Sequence, residues 1–256
     1  MPLRPSRRPA LALAAALLLT TGCAAAGSSS ADRAGSSSAD RAGASRELSA
    51  AELRAAALGD SDMGPGYTVT VMTPGHGETG RSGEREAADL PACQPVLDAV
   101  TPANPASRPV AETDLSVAAA SDPKGSVYAG LLAYGPGRAT QLQAELERVL
   151  GQCTAFSSAA PAAGKGGATG RQGGRTRHRL SRDDAPTPGG ADGVTGFTLT
   201  NESGTAVLSQ RAVLVRVGSV LAVFSTVGVG AEPATVPDER VVRQQVAKLR
   251  AAQAGR

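Results

Sequence analysis

Two histidines, paired carboxylates, three cysteines and a cluster of arginines are the residues of this 256-residue chain with chemistry to offer. Histidine is the usual general base and metal ligand near neutral pH, so its neighbours decide most. His76 lies in the glycine-rich stretch 74–85, with no acidic or cysteine partner at ligand spacing. His178 stands among Arg175, Arg177, Arg179 and Arg182, whose charge disfavours a metal ion. Both histidines read as solvated surface residues. Gly80-Arg81-Ser82-Gly83 does not fit a nucleophile elbow. Gly164-Lys165-Gly166-Gly167 lacks the spacing and the Ser/Thr of a phosphate loop. Asp60/Asp62 and Asp183/Asp184 lie in loop-like sequence and read as turn formers, not as an acid–base couple. The pattern offers no catalytic residue, no metal ligand set and no cofactor motif.

The arginines are a stronger candidate. Strand alternation would set Arg175, Arg177 and Arg179 on one face, with Thr176, His178 and Leu180 on the other. Three guanidiniums on one face form a candidate anion site, suited to a cell-wall phosphate or carboxylate. The competing reading is a solvated or edge strand protected by its charge.

The cysteines divide into one and two. Arg4, Arg7 and Arg8 precede the apolar run from Ala10 to Leu19, which closes on Thr20-Thr21-Gly22-Cys23. That order resembles a bacterial lipoprotein signal peptide, cleaved before Cys23 to leave a lipid-bearing N-terminus. A spanning helix needs about 20 apolar residues, roughly twice this run. An ordinary secretory signal would suit Ala14-Ala15-Ala16 but leaves Gly22-Cys23 unexplained. Ser6-Arg7-Arg8 also resembles a twin-arginine signal, so both export routes stand. The chain is thus expected at the cell membrane, lipid-anchored on the extracellular face through Cys23. In that oxidising compartment a Cys93–Cys153 disulfide is the simplest assignment, with two buried thiols as the alternative. Closing a loop of about 60 residues would constrain the unfolded chain by about 4 kcal/mol.

Removing the signal peptide also corrects the charge. Three of the 26 Lys+Arg precede Cys23, leaving 23 basic residues against 23 acidic ones. A neutral chain with 2% aromatics and no Trp offers nucleic acid neither field nor stacking platform. The partners to expect are the membrane, through the lipid, and a small ligand or another envelope component.

The elements that must position these residues begin after a linker. Gly27 to Ala34 repeats without change as Gly35 to Ala42, and such Gly/Ser-rich sequence reads as a disordered tether spanning 23–47. A single α+β domain is expected over 48–252, followed by a tail at 253–256. Ser49-Ala50-Ala51-Glu52 is a capping box for a helix running to Leu58. Strand patterns cover 67–72, 113–120, 126–134, 175–181, 194–200 and 207–217, with a further strand after Gly218-Ser219. Helices are expected at 91–100, at 138–150 and from Pro237-Asp238-Glu239 onward. Gly218-Ser219 is a two-residue hairpin loop that pairs Val217 with Val220. One row of that hairpin, including Val213, Val215 and Phe224, is apolar, and the opposite row is mixed. Adjacent hairpins without repeated βαβ units give a mostly antiparallel sheet with flanking helices.

Leu48-Ser49-Ala50-Ala51-Glu52-Leu53, Gly64-Pro65-Gly66-Tyr67, Cys93-Gln94-Pro95-Val96, Gly151-Gln152-Cys153 and Val215-Arg216-Val217-Gly218-Ser219 together resemble a group of actinobacterial secreted lipoproteins. That group is similar to the extracellular sensor domain of mycobacterial receptor Ser/Thr kinases. The resemblance implies an antiparallel sheet flanked by helices around a ligand cleft, and a non-enzymatic surface lipoprotein. The kinase sensor domain resembles a two-disulfide module, whereas this chain has only Cys93 and Cys153 for one. An envelope hydrolase with an unrecognised active site is the alternative.

Overall fold

Gly218 takes a positive φ of 59° at the first loop position of a hairpin, where a side chain would be strained. The hairpin joins β8 (Ala206–Val217) to β9 (Val220–Val229), with Val217 opposite Val220 and Val213 opposite Phe224. The computed structural model describes residues 46–72, 87–100, 108–159 and 175–255. The signal-like segment, Cys23, the octapeptides, His76 and the stretches at 74–85 and 160–174 lie outside them.

The hairpin sits inside a nine-stranded sheet, antiparallel at every pairing. β5 (Ala155–Ala159), β6 (Arg175–Asp183), β7 (Gly193–Ser203), β8 and β9 follow one another as a meander. β9 then pairs with β4 (Asp122–Ala133), which pairs with β3 (Ala111–Ala119), which pairs with the edge strand β1 (Tyr67–Met72). The two-residue β2 (Ala87–Ala88) is the other edge, beside β5. The fold is α+β, mostly sheet.

Helices cover both faces. On one face lie α1 (Ala50–Ala55), the single turn α2 (Asp60–Met63) and α5 (Glu239–Gln253), packed on Val213, Val215, Phe224, Leu115 and Leu131. On the other lie α3 (Gln94–Val100), entered by a 3₁₀ turn at Pro91–Cys93, and α4 (Arg138–Leu150). This second layer packs on Leu214, Leu221, Val223, Phe197 and Leu180. The row of the hairpin that reads as mixed is therefore a second core. Arg216, which makes it read so, reaches sideways to the Asp192 carbonyl at 2.9 Å and leaves the leucines buried.

Three further differences have local causes. β5 and β2 are strands that the residue pattern hides, because Ala155-Phe156-Ser157-Ser158-Ala159 and a pair of alanines carry little strand preference. α1 has both hydrogen bonds of its capping box, yet it stops at Ala55 instead of running to Leu58. The side chain of Gln245 on α5 accounts for the stop. Its Nε2 donates to the Ala56 carbonyl at 2.7 Å, and its Oε1 accepts from the Leu58 N–H at 3.0 Å. Those two groups would otherwise have extended the helix. The amide is fully buried, so each bond replaces one that water cannot supply.

Gln245→Leu should orphan both backbone groups and destabilise the full chain by about 2–4 kcal/mol. A thermal melt should show a loss of roughly 5–12 °C. An unchanged melting temperature would remove the amide from its structural role.

Candidate functional site

α4 is held above the meander by polar contacts rather than by its apolar face alone. Gln143, buried, donates to Thr195 Oγ1 at 3.1 Å, and Thr195 donates to Glu147 at 2.9 Å. Arg216 Nε donates to Gln143 Oε1 at 3.0 Å. Gly193 on β7 lies directly beneath, and a Cβ there would come within 2.5 Å of that same oxygen. A side chain at 193 would displace the Gln143 amide from these contacts.

α3 is secured at its start. Cys93 and Cys153 are bonded, with Cα atoms 5.5 Å apart, which ties the entry of α3 to the segment just beyond α4. Gln94 Oε1 accepts from the Ala88 N–H at 2.9 Å, and its Nε2 donates to Asp98 at 2.9 Å.

Between these two helices and the sheet runs a narrow groove with a cavity volume of about 50 Å³. Leu132, Leu214, Leu221 and Val223 form its floor, Ala99 and Leu142 its walls, and Asp98 and Glu145 its charged edges. Tyr134 also lines it, two residues past Leu132. It is 4% exposed, and its hydroxyl has no hydrogen-bond partner among the described residues.

Two carboxylates continue from the floor. Glu112 and Asp114 alternate along β3 with the buried Ala111, Thr113 and Leu115, and so project from the groove side of the sheet. Glu112 is paired with Leu132 across β4, and Asp114 with Gly130. Burial pushes the Glu112 carboxyl up to about 7, aided by the charge of Asp114. Burial also raises Asp114. The Tyr134 hydroxyl is pushed up to about 12, by burial first and the charge of Glu112 second.

The arginine candidates are elsewhere. Arg175, Arg177 and Arg179 are exposed on the face opposite the groove, on a strand held between β5 and β7. The segment is an interior strand, not an edge. Arg175 pairs with Asp89 at 2.7 Å and Arg179 with Glu202 at 3.3 Å, and Glu202 is also the register partner of Arg177. Two of the three guanidiniums are thus already engaged by carboxylates.

His178 is a correction. It is 3% exposed, not solvated, because the alternation that exposes the arginines turns it to the core. Its ring stacks on Phe156 with centroids 4.7 Å apart. Its Nδ1 lies 2.7 Å from Asn201 Oδ1, and its Nε2 2.5 Å from Ser158 Oγ. This connectivity is that of a nucleophile, a base and an orienting group. Ser158, however, is 1% exposed. A hydroxyl sealed in this way cannot meet a substrate, and the trio serves in this state to satisfy a buried imidazole. Among the described residues no group of three His, Cys, Asp or Glu side chains could hold a metal ion, and no helix is long and apolar enough to cross a membrane.

No family model matches the chain, and no curated protein matches it.

Glu112 gives the site a pH signature. Its ordinary value is 4.5 and its folded value about 7, so within that window the folded protein holds a proton the unfolded chain has released. Its contribution to stability therefore falls as pH rises through the window, and the full cost is present above it. Glu112→Gln should stabilise the full chain by about 1–2 kcal/mol at about pH 8, allowing for partial solvent screening, and by almost nothing at about pH 4. Melting temperatures at the two pH values test this; equal gains at both would remove the buried charge as the cause.

Proposed function

We propose that this chain is a lipid-anchored, non-enzymatic protein of the cell envelope that binds a small ligand in the groove between α3, α4 and the sheet. The groove carries the reading. Small-molecule sites are concave and mostly apolar, with a few polar groups that fix orientation. Here the floor is leucine and valine, the walls are braced by the Gln143–Thr195–Glu147 contacts and the Cys93–Cys153 bond, and Tyr134 supplies a hydroxyl. The basic, apolar and Gly22-Cys23 order at the N-terminus supports the anchor and the extracellular face. The motifs that resemble those of actinobacterial lipoproteins and kinase sensor domains support a binding role in the same compartment.

The second reading is an envelope hydrolase. The Ser158–His178–Asn201 contacts favour it, and the burial of Ser158 weighs against it.

Ala99→Phe should fill the groove from the α3 side. It is expected to weaken binding of the neutral apolar probe N-phenylnaphthylamine by about tenfold or more, with circular dichroism unchanged. Undiminished probe binding would remove the groove as the site. Cys23→Ala should move the protein from the membrane fraction to the soluble one. Retention on the membrane would contradict the lipid anchor.

A further inference from the structure

The groove does not end at its apolar floor. Strand register sets Asp114, Gly130 and Val223 in one row across β3, β4 and β9, and Glu112, Leu132 and Leu221 in the next. Val223, Leu132 and Leu221 are floor residues. Gly130 has no side chain, so the floor at Val223 runs on to Asp114 without a wall between them. One continuous surface therefore leads from an apolar trough to two carboxylates.

Among the described residues that line this surface, the charged ones are acidic. Asp98 and Glu145 edge the trough, and Glu112 and Asp114 lie at its extension. Arg138 Nη1, 3.6 Å from Glu145 Oε1, is the basic group beside them. Among the described residues no Lys or Arg forms an ion pair with Glu112 or Asp114. Half-buried carboxylates without a cation are an unfavourable arrangement, and a bound positive charge relieves it. A second observation is independent of the acids. The Tyr134 hydroxyl, in a residue 4% exposed, lines the trough without a hydrogen-bond partner among the described residues. A hydroxyl that lines an apolar trough without a protein partner is one of the few polar groups there that can orient a ligand.

We propose that the groove takes a cationic amphiphile, its apolar chain on Leu221 and Val223 and its ammonium head against Glu112 and Asp114. This rests on the groove reading above and adds the charge of the ligand to it. The apolar chain gains from burial in proportion to its area, and the ammonium distinguishes this ligand from an alcohol or a fatty acid of equal length. Tyr134 stands two residues past Leu132, the register partner of Glu112, so its hydroxyl pairs with a further polar atom at the head of the ligand. An anionic amphiphile would meet Asp98, Glu145, Glu112 and Asp114.

The test titrates the full chain with decylamine, decanol and decanoate, each below its micellar concentration, by isothermal calorimetry. Decylamine should bind about tenfold tighter than decanol, with decanoate the weakest. In Glu112→Gln/Asp114→Asn the preference for the amine should fall to about twofold or less, with decanol binding unchanged. Asp114→Asn alone should give an intermediate preference. Ala99→Phe should weaken all three probes together. Equal binding of amine and alcohol, a preference for decanoate, or an amine preference that survives the double variant would overturn the cationic ligand and leave the groove standing. Failure of all three probes to bind would overturn the groove as well.

Discussion

The β8–β9 hairpin is apolar on both faces, and a strand pair of that kind is stable only when both are taken out of water. Val213, Val215 and Phe224 face α1 and α5, while Leu214, Leu221 and Val223 face α3 and α4. Each fully buried side chain of this size contributes about 1.5–3 kcal/mol, so neither helix layer is dispensable. Antiparallel sheets often leave one face to solvent; this one cannot do so at its centre. Towards its edges the demand relaxes. β6 exposes its arginines on one face, and β3 exposes Glu112 and Asp114 in part on the other.

The groove follows from incomplete cover on the second face. α3 has seven residues and α4 thirteen, too little to roof the sheet from β4 to β6. The gap falls over β4, β8 and β9, where the floor must stay apolar because the hairpin beneath it is. Contacts that fix α4 to β7 and β8 are polar and directional, so they set its height as well as its presence. A groove bounded this way is a property of the whole sheet, and not of any one loop.

This explains what the residue pattern reveals and what it conceals. The hairpin register is legible, because Gly218-Ser219 and the flanking alternation act over a few residues. So are α4, the capping box and the face occupied by Arg175, Arg177 and Arg179. His178 misleads because neighbours in sequence are not neighbours in a strand: Arg175, Arg177 and Arg179 are turned away from it, and Phe156 and Asn201 arrive from other strands. β5 is hidden because its pairing with β6, not its composition, makes it a strand. The groove is assembled from α3, α4, β4, β8 and β9, and no local pattern marks a surface built from five separated segments. Glu112 and Asp114 did leave a signal, two acids spaced for one strand face. Its meaning depends on which residues stand opposite.

The entry of the chain into the domain is built differently. Arg46, the first described residue, donates through Nη2 to the Ala252 carbonyl at 2.8 Å, and its own carbonyl accepts from Ser219 Oγ at 2.6 Å. Leu48, two residues on, is fully buried in the core beneath α1 and α5. The chain thus enters the domain on the face opposite the groove, pinned to the last helix and to the tight turn of the hairpin. A pull applied at residue 46 would run into α5 and the centre of the sheet. α3 and α4 make none of these contacts, so the pull meets the floor of the trough before its walls.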